Sequence, residues 1–353
     1  MTTDKETTLS TVSDPGSDPG PDEARTPILK RLTGANTLWI GLVLLVLIAV
    51  FGAIRPDAVF QVTTLQFLLA ETAVLLVLSV GMTFVIITSG IDLSVGSVLV
   101  FASVLSAMAM NSVSGGDATN AGWGVIAFGL LVAVVSGAVW GLLNGLLISR
   151  AKIPPLIVTL GSFGAAQGAA LLLNNGSNVS GIPDKLNRTF GSGTYLGIPN
   201  IVIVAAIVTA LGALLLSTTR FGRYTYAVGS NEEAARRVGI SVRNHLTKVY
   251  VLAGTLAGLA GFMGNAFFRV AVVTGHETDN LNAIAAVVLG GTSIFGGLGS
   301  VVGTIFGVFI PAVLEKGLVI IGVEEFWQPI AVAIVLVAAV WLDQTRRRAR
   351  NQR

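Results

Sequence analysis

The 353-residue chain has no cysteine, only two histidines, and just 12% charged residues. Without cysteine there is no disulfide framework, no thiolate nucleophile and no cysteine-ligated metal site. His245 and His276 stand apart, with no metal-ligand spacing around them. No G-x-x-x-x-G-K-[ST] phosphate loop occurs, so the chain does not bind ATP in that way. The shortage of charge matters most, because ordinary soluble domains carry about 25% charged residues. Charge-free stretches of 20 or more residues separate Arg31 from Arg55, Glu71 from Asp92, Asp92 from Asp117, Asp117 from Arg150, Lys152 from Asp184, Arg188 from Arg220 and Asp279 from Glu315. The gap from Lys248 to Arg269 matches them, and that from Glu325 to Asp343 is slightly shorter. A hydrocarbon core about 30 Å thick needs roughly 20 apolar helical residues to cross it. With 53% hydrophobic residues and a mean hydropathy of +0.79, the chain reads as an all-α polytopic membrane protein.

Ten candidate spans emerge, at about 37–54, 64–88, 93–112, 122–148, 156–174, 199–217, 248–268, 281–295, 300–321 and 327–343. The third and the eighth are weak and read equally as re-entrant or half-crossing segments, which leaves eight to ten crossings. Residues 1–36 form a polar tail and membrane approach, disordered for want of apolar surface, and without a signal-peptide pattern. Residues 344–353 form a basic tail, and 37–343 the membrane domain. With both termini inside, 17 of the 22 Lys and Arg fall on the cytoplasmic side, as the positive-inside rule requires.

Three polar or glycine-rich segments interrupt the apolar runs. The hydrophilic stretch 218–247 contains Ser230-Asn231-Glu232-Glu233, which fits a capping box with the serine hydroxyl as cap. Acids in the first turn, Arg236 and Arg237 in the last, and Gly239 as a left-handed stop specify a helix of about two turns. Such a short polar helix reads as either a docking element for another protein or a plain loop. In the second segment, Asp92 stands alone between apolar runs, followed by Ser94 and Gly96. An acid here caps the next helix at a broken-helix junction beside Gly90, or else meets cargo. In the third, Gly290, Gly291, Gly296, Gly297 and Gly299 are too dense for a plain helix and open a turn or re-entrant element. One interrupted element in each half of the chain points toward a transport pathway. Gly137, Gly141 and Gly145, and Gly299, Gly303 and Gly307, recur every four residues, as close helix packing requires. Asn144, Gln167, Asn174 and Asn265 either bond across helices or face a channel. Arg55, Glu71 and Lys316, near span ends, are expected to snorkel. Arg269, His276, Glu277 and Asp279 cluster in an outer loop.

The runs GMTFVIITSGIDLSVGS from Gly81, FGRYTYAVGSNEEAARRVGI from Phe221 and AIAAVVLGGTSIFGGLGSVVGT from Ala283 carry a resemblance. So do IPPLIVTLGSFGAAQGAALLL from Ile153 and FWQP from Phe326. Together they resemble the permease subunits of bacterial ABC importers for monosaccharides, of the ribose, xylose and arabinose type, in order over about 37–343. The resemblance implies a type II importer-like fold in the cell (inner) membrane. It also implies two permease subunits, identical or paralogous, an extracytoplasmic sugar-binding protein, and a separate ATPase that binds ATP and magnesium. This chain itself would hold no cofactor, metal or nucleic acid. By the same carry-over, Asn231, Glu232, Glu233, Ala234, Arg236 and Gly239 sit at the ATPase contact. Asp92, Ser94, Asn144, Gln167 and Asn265 are candidates for the translocation pathway, with Gly90, Gly96, Gly290, Gly291, Gly296 and Gly297 breaking helices. Family members often read Gly-Tyr-Glu-Leu-Asp where this chain reads Thr278-Asp279-Asn280-Leu281-Asn282. That departure, and the IFGG at 294–297, leave the sugar open. A deoxysugar or autoinducer-2, an amino acid or a nucleoside are alternatives, as is a self-sufficient secondary transporter.

Overall fold

The computed structural model describes residues 35–276, 278–327, 330, 333 and 334. The expectations for residues 1–34, for Glu277, for most of the last span and for the basic tail lie outside the described residues. The rest is almost wholly helical. The principal helices are α1 (Ala35–Ile54), α2 (Val62–Ile87), α3 (Val95–Ser112), α4 (Trp123–Ser149), α5 (Pro155–Leu173) and α6 (Asn200–Thr218). They continue with α7 (Arg220–Ser230), α8 (Glu232–Arg237), α9 (Val242–Phe268), α10 (Asp279–Leu289) and α11 (Val301–Ile320). Among the described residues seven helices are long and apolar enough to cross a membrane: α2 to α6, α9 and α11. The third expected span is thus full length. The eighth is shorter than expected, because α10 stops at Leu289, where Gly290 and Gly291 begin the turn. Helix α9, the seventh expected span, starts six residues before the expected Lys248, since Arg243, Asn244, His245 and Thr247 are already helical.

α2 is the axis of the bundle. It packs against α6, α9, α10 and α11, and its segment from Ala73 to Ile87 is almost entirely buried. A helix that is apolar all round belongs in such a position. Outward-facing leucines on the flanking helices, among them Leu131 and Leu147 on α4, Leu160 on α5 and Leu211 on α6, are exposed. Lipid suits such surface, since an α-helix satisfies its own backbone groups and can present apolar side chains to hydrocarbon.

The tightest joint is α4 against α9. A Cβ added at Gly137 overlaps the Gly254 carbonyl, one at Gly141 the Tyr250 carbonyl, and one at Gly258 the Ala133 carbonyl. Backbones this close gain dispersion contacts that any side chain at those positions would forbid. The second glycine series works in the same way at α10 and α11, where Gly303 abuts Gly290 and Gly307 abuts Ala286. Gly299 is not part of that helix face, because α11 begins only at Val301, capped by the Ser300 hydroxyl, which accepts from Gly303 N–H at 2.9 Å. At the other end of the bundle, residues 174–199 form a surface layer with a two-strand hairpin (Thr194–Tyr195 and Ile198–Pro199). Val179 bridges to Ala271, and Arg269 pairs with Asp184 there.

Candidate functional site

The hydrophilic stretch 218–247 is more ordered than a loop. α7 follows α6 after a single residue, Thr219, whose hydroxyl accepts from Gly222 N–H at 3.2 Å. This second helix went unforeseen because its one-sided pattern is interrupted by Gly222 and Gly229. Both glycines face backbone: a Cβ at Gly222 overlaps Leu216, and one at Gly229 overlaps the Ile87 carbonyl.

α8 is then set by its cap. The cap is Asn231, not Ser230, because Ser230 is already the last residue of α7. Asn231 Oδ1 accepts from Ala234 N–H at 2.9 Å. Glu233 does not reach back as a capping box requires; it pairs with Arg237, while Glu232 pairs with Arg236 at 2.6 Å. Both pairs are i,i+4 with the acid on the N-terminal side, the favourable order for the helix dipole. Gly239, at φ +85°, ends the element. Ala235 is buried against Val228 and Val242, which fixes the helix to its neighbours. The opposite face, from Glu232 to Ala234 with Arg236 and Arg237, is exposed. Val238 adds an apolar side chain that is 77% exposed. It was not singled out from the sequence, and its signal there was a lone valine between charges and a glycine. An exposed, rigid, mixed polar and apolar knob of this kind is suited to a protein partner.

Behind α8 three chain segments meet backbone to backbone. Gly297 N–H donates to the Ile87 carbonyl at the C-terminal end of α2, at 2.9 Å. The single Ser89 hydroxyl proton is shared between two acceptors, the Gly229 carbonyl at 3.0 Å and the Phe295 carbonyl at 2.9 Å. Tyr226 OH donates to the Gly299 carbonyl at 2.7 Å. A Cβ at Gly296 overlaps Ser89 Oγ, and at Gly297 it approaches Ser230 to 3.1 Å. Gly291, Gly296 and Gly297 have φ of +88°, +82° and +73°, which side chains rarely tolerate. Ser89 itself sits at φ +62°, held there by this shared hydrogen bond. Helix α8 is thereby tied through α7 to the central helix and to the glycine loop before α11.

The Asp92 segment is a second joint. Asp92 is 2% exposed, and its Oδ1 accepts from Ser94 N–H at 2.8 Å and from Ser94 Oγ at 2.6 Å. The carboxylate closes an Asx-turn one residue ahead of α3, and does not cap amides inside the helix as a simple N-cap would. Asn144 Nδ2 on α4 donates to Ser94 Oγ at 2.8 Å, and Asn280 Nδ2 on α10 donates to the Leu93 carbonyl at 2.8 Å. Gly90 is needed because a Cβ there would come within 2.7 Å of the Tyr250 hydroxyl, and Gly96 lies against the His276 carbonyl. Asn265 pairs with Ser103 across α9 and α3, accepting from its Oγ at 2.6 Å and donating to its carbonyl at 3.0 Å. Gln167 Nε2 on α5 donates to the Val273 carbonyl at 2.7 Å. Asn174 bonds locally, donating to the carbonyls of Ser177 and Asn178. The five pathway candidates therefore divide among three hydrogen-bonded joints rather than converging on one cavity. Replacing Asp92 with alanine leaves two buried Ser94 donors without their acceptor, at a cost of about 1–3 kcal/mol. A lower unfolding temperature in detergent with unchanged substrate preference is the expected result, and Asp92→Asn, which keeps the acceptor oxygen, should lose less.

A family profile described as "branched-chain amino acid transport system / permease component" matches residues 64–340. The chain is 39% identical over 304 residues to the ribose import permease protein of Bacillus subtilis, covering 86% of this chain and 91% of that protein. It is 31% identical over 328 residues to a fructose import permease protein of Rhizobium meliloti, covering 91% and 89%. To the D-allose transport system permease protein of Escherichia coli it is 30% identical over 303 residues, covering 86% and 90%. No solved structure matches it. The chain belongs to the family of permease components described for branched-chain amino acid transport systems, as a multi-pass membrane protein of ABC-importer type.

Proposed function

We propose that this chain forms the translocation pathway of an ATP-driven importer for a monosaccharide. An extracytoplasmic binding protein delivers the sugar, and a separate ATPase subunit binds ATP and magnesium. A second permease subunit, identical or paralogous, completes the membrane unit. The observation that carries the reading is helix α8, a short, capped, ion-paired and exposed element between the long apolar helices α6 and α9, in a stretch that the Lys and Arg balance of the sequence assigns to the cytoplasmic side. The printed names of the three relatives given above, permeases for ribose, fructose and allose, support the substrate class.

On this reading Asn231, Glu232, Glu233, Ala234, Arg236 and Gly239 face the ATPase in the cytoplasm, with Val238 among them. Closure of the ATPase displaces α8 as a unit. The push passes through Gly229 and Ser89 into the end of α2, and through Gly297 into the turn before α11. α2 has 26 residues, about 39 Å at 1.5 Å per residue. A push at its inner end is therefore felt at its outer end. Asp92, Ser94, Asn144, Gln167 and Asn265 hold the helices that wall the pathway, and Gly90, Gly96, Gly290 and Gly291 allow the close approaches on which their breaks depend.

Uptake of radiolabelled D-ribose, D-fructose and D-allose tests the proposal in cells carrying the chain with its neighbouring genes. One of these sugars should accumulate, and accumulation should stop when the neighbouring ATPase gene is deleted. Accumulation that persists without the ATPase would favour a self-sufficient transporter.

A further inference from the structure

At the end of the bundle away from α8, a cavity of about 390 Å³ opens between α2, the end of α9, the start of α10 and α11. That volume falls within the range of small-molecule pockets, about 300–1,000 Å³. Its polar wall is unexpected at this depth. Glu71 lies nine residues into α2, about 13 Å from its start, and Glu315 lies five residues before the end of α11, about 8 Å in. Intramembrane acids face protein or water-filled cavities, not lipid, and by default mark substrate paths. Glu71 and Lys316, expected to snorkel near span ends, instead line one space together with Glu315, which the sequence did not single out.

We propose that this cavity is a sugar subsite, the first protein surface in the membrane to hold a monosaccharide after its release from the binding protein. The inference rests on the importer reading above. Vicinal hydroxyls are matched by carboxylates, which accept two hydrogen bonds each, and by an amide that both donates and accepts. Glu71, Glu315 and Asn282 provide them. The C–H faces of a sugar ring need apolar, aromatic walls, and Phe67 and Phe268 provide those. Lys316 Nζ stands over one face of the Phe67 ring, 4.5 Å from its centroid, and adds a cation to the lining, so that the sugar meets the Phe67 edge and Phe268. His276 Nδ1 and Asp279 Oδ2, 2.7 Å apart, hold each other at the rim. Two amides, Asn280 and Asn282, lie in the first turn of α10, and Asn282 lines the cavity. The other, Asn280, bonds to the Leu93 carbonyl and is buried, so Asn282 is left to influence sugar choice.

The absence of native cysteine allows a direct test in the full chain. Asn282→Cys in membrane vesicles is treated with a maleimide, with and without D-ribose, D-fructose or D-allose, beside Leu298→Cys in the glycine loop as a control. Saturating amounts of one sugar should slow modification at position 282 about tenfold by mass action and leave position 298 unchanged. Val319→Cys, at the opposite wall, should be protected by the same sugar and guards against misfolding of the first variant. Adding Glu71→Gln to Val319→Cys should raise the half-protecting concentration about tenfold, the loss of one charge-assisted hydrogen bond. Protection by sodium or magnesium ions in place of sugar, equal protection at position 298, or no protection at 282 and 319 would overturn the subsite. If cells still import the sugar in that case, the importer reading survives and only the subsite fails. If no sugar enters cells at all, the importer reading fails first.

Discussion

Replacing both Glu232 and Glu233 with lysine should abolish transport while leaving the bundle folded. Each glutamate now pairs with an arginine one turn later, and both lie in the first turn of α8. The double change turns two attractive i,i+4 pairs into repulsive ones and places positive charge at the positive end of the helix dipole. Together these cost on the order of 1–2 kcal/mol, enough to fray a helix of six residues. The side chains are exposed, so the bundle does not depend on them. Co-purification with the ATPase and coupled sugar uptake should both fall to background. The yield of membrane-inserted protein and its elution volume in detergent should not change. Normal recovery of the ATPase with the variant would remove α8 from the coupling path.

The largest effect on stability should come from Gly137→Leu. The Gly137 Cα faces the Gly254 carbonyl and the Gly258 backbone, so a side chain has no flexible neighbour to displace. Only separation of α4 from α9 relieves the overlap, and that joint is the most extensive in the bundle. Overpacking costs typically 1–3 kcal/mol and more where backbone must move; here the upper end or beyond is expected. The variant should aggregate on extraction, or unfold well below the parent temperature in a fluorescence-detected size-exclusion series. By contrast Gly161→Leu on α5, where a Cβ meets nothing within 4 Å in the single chain, should extract normally. Equal behaviour of the two variants would refute the close-packing account.

The fold was legible in the sequence wherever charge was absent for a helix length: α1 and α3 to α6 lie within such gaps, while α2, α9 and α11 each run past a charged residue at one end of theirs. The glycine repeats at 137, 141 and 145 marked the α4 face that meets α9, because a four-residue spacing keeps small residues on one side of a helix. What the sequence hid were tertiary choices. Asn231 and Ser230 are both good caps, and α7 decides between them by running through Ser230. Asp92 serves a turn rather than a helix end, because Ser94 presents both its amide and hydroxyl to it. Glu71 and Lys316 looked like separate edge residues, and Glu315 was not singled out, since only packing of α2 on α11 brings the three to one cavity. Ser89 and Gly229 carried no local signal at all; their role comes from contacts across 140 positions of sequence.

The account depends on α8 standing on the cytoplasmic surface. The direct measurement is Glu233→Cys in the otherwise cysteine-free full chain, exposed to a membrane-impermeant maleimide in right-side-out and in inside-out membrane vesicles. Rapid modification in inside-out vesicles, protected when the ATPase subunit is bound, is the predicted result. Modification from the outer face of sealed right-side-out vesicles would contradict it.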